Sequence, residues 1–124
     1  MKMLLTTFAL LASLGVAHAA GPVTAREWIQ ACVDKAALKQ IACFTYVRGV
    51  ADGLTLWVHG DEENAPVCIP DTVTSAQLVA VGQKFFKDSP KDQHLVASVF
   101  LGFAFLDSWP CDLPDGQGKY RRKL

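Results

Sequence analysis

The chain has 124 residues, 12 Lys plus Arg against 12 Asp plus Glu, and 51% apolar residues. That bounds it to one small domain and excludes the disordered and fibrous classes. The balanced charge leaves no electrostatic footprint for nucleic acid as a main partner.

Along the chain, Lys2 precedes the apolar run Met3 to Ala12, and Ala17-His18-Ala19 places small residues where a signal peptidase cuts. Residues 1–19 therefore read as a cleaved secretory signal. The run is shorter than the about 20 residues that a bilayer span needs, so no membrane span is expected. The mature domain is expected over residues 20–118, followed by a basic tail at 119–124 in which Lys119, Arg121, Arg122 and Lys123 crowd together. Such a tail reads as a solvated, frayed terminus. Cys32, Cys43, Cys68 and Cys111 all fall in the mature part, and an even count in a small exported chain predicts two disulfides.

Helical spacing dominates the mature chain, and strand alternation is absent. The first helix opens at Val23-Thr24-Ala25-Arg26-Glu27-Trp28. Thr24 and Glu27 make a capping box, Val23 and Trp28 stand where a hydrophobic staple packs, and the helix is predicted to run to about Leu38. In the second helix Phe44, Val47, Ala51, Leu54 and Val58 recur at three- and four-residue steps, one apolar face over four turns. Gly49 and Gly53 lie one turn apart on it. Two helix-weakening glycines at this spacing predict another backbone packed closely against them. The helix is expected to fade at His59-Gly60, giving way to an acidic loop, Gly60 to Pro66.

A second capping box, Thr74 with Gln77, and a second staple, Val73 with Leu78, open the third helix. Leu78, Val81 and Phe85 mark its buried face. Ser89 as cap with Pro90 in the first turn predicts a fourth helix, uncharged from Leu95 to Leu106. An all-round apolar helix is either the central helix of the domain or one side of an oligomer interface. The expected fold is therefore all-α, a small domain of four to five helices built as two antiparallel helix hairpins and stapled by two disulfides.

The helix plan also discriminates among the three possible cysteine pairings. In a hairpin turning between about residues 37 and 38, Cys32 and Cys43 lie equally far from the turn. Cys68 just precedes the third helix and Cys111 just follows the fourth, so a second antiparallel hairpin brings them together. The predicted pairs are Cys32 with Cys43 and Cys68 with Cys111.

Catalytic chemistry is hard to assemble from these residues. An enzyme needs a nucleophile with a base, a pair of tuned acids or a metal cage. The mature chain has only His59 and His94, neither with a second ligand at helical metal-site spacing. There is no C-x-x-C pair and no glycine-rich loop between strand and helix. Asp52 and Asp107 sit among apolar neighbours, as a functional acid or a solvent-facing carboxylate would. No enzyme, metal or other cofactor is expected, and the remaining business of a stapled helical module is binding. Binding surfaces favour side chains on rigidly held loops. Two loops supply candidates: Asp61, Glu62, Glu63 and Asn64 in the first, and Asp88, Ser89, Lys91 and Asp92 between the last two helices.

Taken in order, Cys43-Phe44-Thr45-Tyr46-Val47-Arg48-Gly49-Val50-Ala51-Asp52, then Cys68-Ile69-Pro70 with Val73-Thr74 and Gln77-Leu78, then Trp109-Pro110-Cys111, resemble the Rap1a/Tai immunity proteins of type VI secretion systems. Ser89-Pro90 stands where members of that family often carry His-Pro. The resemblance implies an all-helical periplasmic protein, commonly a homodimer, that binds a peptidoglycan amidase toxin and occludes its active site. It carries over no toxin-contacting residue. The alternative function compatible with the composition is an acid-stress chaperone of the HdeA type, also small, helical and disulfide-bonded, or an orphan structural binding module.

Overall fold

The computed structural model describes residues 21–60 and 67–111, with side chains from 57 to 60 left aside. Four α-helices form the domain: α1 (Ala25–Val33), α2 (Ala37–Gly60), α3 (Ser75–Asp88) and α4 (Ala97–Ser108), with a 3₁₀ turn, Pro90–Asp92, between the last two. Among the described residues no helix is long and apolar enough to cross a membrane.

Both capping boxes form as the sequence implies. Glu27 N–H donates to the Thr24 hydroxyl, and the Thr24 N–H donates back to the Glu27 carboxylate at 2.8 Å. At α3, Gln77 and Thr74 make the same exchange, again at 2.8 Å for the returning bond. Each box satisfies helix N-terminal donors that have no partner within the helix.

The first helix stops earlier than its apolar spacing predicts, at Val33 instead of about Leu38. Asp34 takes an extended conformation, and its carboxylate accepts the Ala36 N–H at 2.8 Å. This local bond offers the backbone an alternative to the helix. The hairpin turn therefore lies at residues 34–36, not 37–38, and α2 begins at Ala37. Its buried line is Cys43, Val47 and Ala51 at four-residue steps. Phe44, expected on that line, is 39% exposed, because Cys43 takes the inward position. Gly49 and Gly53 also correct the expectation of a close backbone, since nothing stands within 4 Å of where a side chain would begin at either.

The fourth helix begins seven residues later than Ser89-Pro90 suggests. Ser89 ends α3 and makes no side-chain cap to the turn that follows. Pro90 disfavours helical backbone in the residue before it, and only one 3₁₀ turn forms. Residues 95–97 then run antiparallel beside residues 23–25: Ala25 N–H donates to Leu95 C=O at 2.8 Å and Ala97 N–H to Val23 C=O at 2.7 Å. Val96 at the N-cap of α4 has no side-chain oxygen to offer. The Val23 carbonyl, distant in sequence but adjacent in space, does that work.

At the opposite end Cys68 N–H donates to Trp109 C=O at 2.8 Å, beside the Cys68–Cys111 disulfide. Both predicted disulfides form. Of the two roles open to α4, the structure makes it the central helix. It packs against α1, α2 and α3, burying Phe100, Leu101, Ala104 and Phe105. Phe85 and Phe86 of α3 meet Phe100 edge-on with ring centroids 5.2 and 5.9 Å apart, the geometry that aromatic quadrupoles favour.

Trp28 ties α1 into this core. It is 2% exposed, and its indole N–H donates to the Cys43 carbonyl at 3.3 Å. That bond and the Cys32–Cys43 disulfide fasten the first hairpin within a few ångströms of each other. Leu78 and Phe85 are buried as the third helix predicts, and Val81 is half-buried.

Candidate functional site

Asp88, Ser89, Lys91 and Asp92 come together where α3 ends and the 3₁₀ turn reverses the chain. Two backbone bonds, Ser89 N–H to Phe85 C=O at 2.9 Å and Asp92 N–H to Ser89 C=O at 3.0 Å, hold the corner. Gln93 then folds back and donates its side-chain amide to the Phe86 carbonyl at 2.9 Å. Arg26 of α1 reaches the other end of that amide at 3.5 Å. The corner is thus anchored to two helices although much of its surface is solvated. Asp88 pairs with Lys84 one turn back, which raises the Lys84 pKa. Lys91 and His94 stand exposed, and Ser89 and Asp92 are half-buried. Asp61, Glu62, Glu63 and Asn64, the other candidates, lie outside the described residues.

The carboxylates considered as possible acids lie on the surface. Asp52 pairs with Arg48 at 3.0 Å, both more than 45% exposed, and Asp107 is exposed. No described charged or polar residue is buried, and no group of three or more His, Cys, Asp or Glu among the described residues is placed to hold a metal ion. This arrangement can recognise a partner by shape and charge. Arg48 also donates to the Val73 carbonyl at 3.3 Å, so it anchors the lead-in of α3 to α2.

A second surface was not evident in the residue pattern. On α2, away from the core, Leu38 is 81% exposed, Ile41 57% and Leu56 74%. Beside them Gly49 and Gly53 with Ser98 and Val99 of α4 line an open groove of about 580 Å³. The available signal was that α2 is apolar on nearly every side, as α4 is. Only one line of it can face the core.

A family model for Rap1a immunity proteins matches residues 24–111. The match runs from the Thr24 cap to the closing Cys111, the whole of the fold described above. The chain belongs to the Rap1a immunity protein family. No curated protein and no solved structure matches it. Membership in this family gives the chain a toxin-immunity role, with a toxin as the partner that role implies. The quoted motifs then have structural duties in this chain: Cys43 in a staple and under Trp28, Arg48 on the approach to α3, Thr74 and Gln77 in a cap, Cys111 in the second staple.

Proposed function

We propose that this protein binds and sterically occludes a peptidoglycan amidase toxin of a type VI secretion system, in the periplasm, as a homodimer, after loss of a signal peptide over residues 1–19. The observation that carries the proposal is the family match over residues 24–111. Two disulfides suit an oxidising compartment. Occlusion needs a rigid surface and no reacting group, as the anchored corner of Asp88, Ser89, Lys91 and Asp92 provides. That corner, with Asp61, Glu62, Glu63 and Asn64, is the proposed toxin-contacting region. In such complexes a few well-packed anchors decide specificity more than total area does.

The test is a pull-down with the oxidised chain from residue 20 onward against the secreted proteins of its own strain, followed by a peptidoglycan-cleavage assay on whatever is retained. Stoichiometric recovery of an amidase, and its inhibition by the added protein, is the expected result. Failure to bind or inhibit any amidase from its own or related strains overturns the proposal. In that case client protection near about pH 2 would be measured next, for the chaperone alternative.

A further inference from the structure

We infer that the groove between α1 and α2 takes an arginine side chain of the toxin, with its guanidinium held between the Glu27 carboxylate and the Tyr46 hydroxyl. The inference deepens the toxin-binding reading given above and rests on it. The groove encloses about 500 Å³. It exists because Ala31 of α1 and Ala42 of α2, which both line it, carry too little side chain to fill the space between the helices. Its walls are fixed before any ligand arrives. The Cys32–Cys43 disulfide clamps the two helices at a Cα–Cα distance of 5.0 Å, and Trp28, part of the wall, is bonded through its indole N–H to the Cys43 carbonyl at 3.3 Å. A site already rigid in the free protein loses little affinity to ordering.

The charges along the rim say what fits. Counted outward from the turn at residues 34–36, Asp34 and Lys39 stand at the closed end of the groove. Glu27 and Tyr46, each seven residues farther along its helix, stand at the open end, about 10.5 Å away at the helical rise. Lys39 balances Asp34 in charge, whereas no cationic residue lines the groove at the Glu27 end. Other exposed carboxylates pair on their own helix, Asp52 with Arg48 and Asp88 with Lys84. Glu27 uses one oxygen, Oε2, for both Thr24 bonds, which hold its pKa below the ordinary value, and Oε1 takes part in neither. The Tyr46 ring is half-buried, and its hydroxyl has no hydrogen-bond partner among the described residues. What enters must carry a cation at its tip and an apolar stem that lies over Ala31 and Ala42. Arginine has both, since its methylenes pack on apolar surface while the charged head stays at the wet end. Its planar fork donates to two acceptors at once and stacks on an aromatic face such as that of Tyr46, which a lysine ammonium does less well.

The test uses the oxidised chain from residue 20 onward, with acetyl-arginine amide as the probe and the neutral isostere acetyl-citrulline amide beside it. In amide NMR spectra the Trp28 indole N–H and the backbone N–H groups of Ala31, Ala42 and Tyr46 should shift saturably with the arginine compound at millimolar concentration. The citrulline compound should bind about tenfold more weakly, the effect of losing a charge-assisted hydrogen bond. Glu27→Gln keeps the capping geometry, as Gln77 does at α3, but should weaken the arginine compound by about the same factor. Ala42→Phe, at an exposed helical position, should fill the groove and abolish binding with the fold intact. Lys39→Gln, at the closed end, should bind no more weakly than the parent. Equal binding of the two compounds, or shifts that ignore Glu27→Gln and Ala42→Phe, overturn the inference. With toxin, Ala42→Phe should inhibit about tenfold less well, and undiminished inhibition by that variant overturns the inference too. A parent that inhibits an amidase but ignores the probe overturns the groove alone. A parent that binds the probe and no toxin overturns the toxin-binding reading, and this inference with it.

Discussion

Gly82 of α3 lies directly against the indole of Trp28: a Cβ at position 82 would stand 2.5 Å from Cη2 and 2.9 Å from Cζ3 of the ring, and 2.9 Å from Cδ2 of Leu101. The absent side chain is what lets α3 close over Trp28, which is in turn bonded to the Cys43 carbonyl. Three helices therefore meet at one missing methyl group. Gly82→Ala gains helix propensity but overpacks a fully enclosed ring, and overpacking of this kind typically costs about 1–3 kcal/mol. Urea unfolding should show a net loss of stability. A gain would mean that the Trp28 pocket yields more easily than the contacts imply.

The two capping boxes differ in a way that pH can read. Glu27 is held below its ordinary value of 4.5, chiefly by the Thr24 backbone N–H and then by the Thr24 hydroxyl. Gln77 plays the same part at α3 and does not titrate. A carboxylate with a depressed folded-state pKa stabilises fully above its unfolded value, and that contribution is lost as pH falls through the folded value. Glu27→Gln should therefore be less stable than the parent near neutrality, and the difference should shrink below about pH 4.5. Paired denaturation series across that range check it, and a gap that stays constant in acid would contradict the assignment.

The disulfides close loops of unequal length, with sequence separations of 11 and 43. Chain entropy alone assigns about 3 kcal/mol to the shorter and about 4 kcal/mol to the longer. Replacing Cys68 and Cys111 by Ala should lower the urea midpoint more than replacing Cys32 and Cys43. Cys43 is 1% exposed, so the second pair of substitutions adds a packing loss to its loop term. Equal or reversed midpoints would show that packing around Cys43 outweighs loop length.

Lys91 projects from a corner whose backbone is held by Ser89, Gln93 and Phe86. Lys91→Glu should leave Tm unchanged, since the side chain is exposed, while reducing inhibition of the cognate amidase at least tenfold, equivalent to about 1.4 kcal/mol. Titration of amidase activity with parent and variant is the check. Unchanged inhibition would place the contact elsewhere.

Local signals carried most of the fold into the sequence. Thr24 with Glu27 and Thr74 with Gln77 announced two helix starts because a capping box is complete within four residues. The helix plan placed both cysteine pairs because each cysteine sits near a helix end, where a hairpin brings ends together. Features decided by competition or by distant partners were less legible. Asp34 ended α1 early by bonding a neighbouring N–H, a local choice that apolar spacing does not register. The candidate corner was legible as a loop, but its anchoring by Gln93 and Arg26 spans three elements.

By itself the sequence determined an all-helical domain, its caps, its cysteine staples and its family motifs, because each depends on residues a few positions apart or on helix ends. Only the tertiary structure decided where α4 begins, since its first N–H is met by Val23, more than seventy residues earlier in the chain. It also decided which glycine is essential to packing. Gly49 and Gly53 drew notice by their spacing and face open space, while Gly82, unremarked in the pattern, presses on Trp28 and Leu101. A helix that is apolar on every side does not reveal which face will be buried. That depends on which neighbours reach it first.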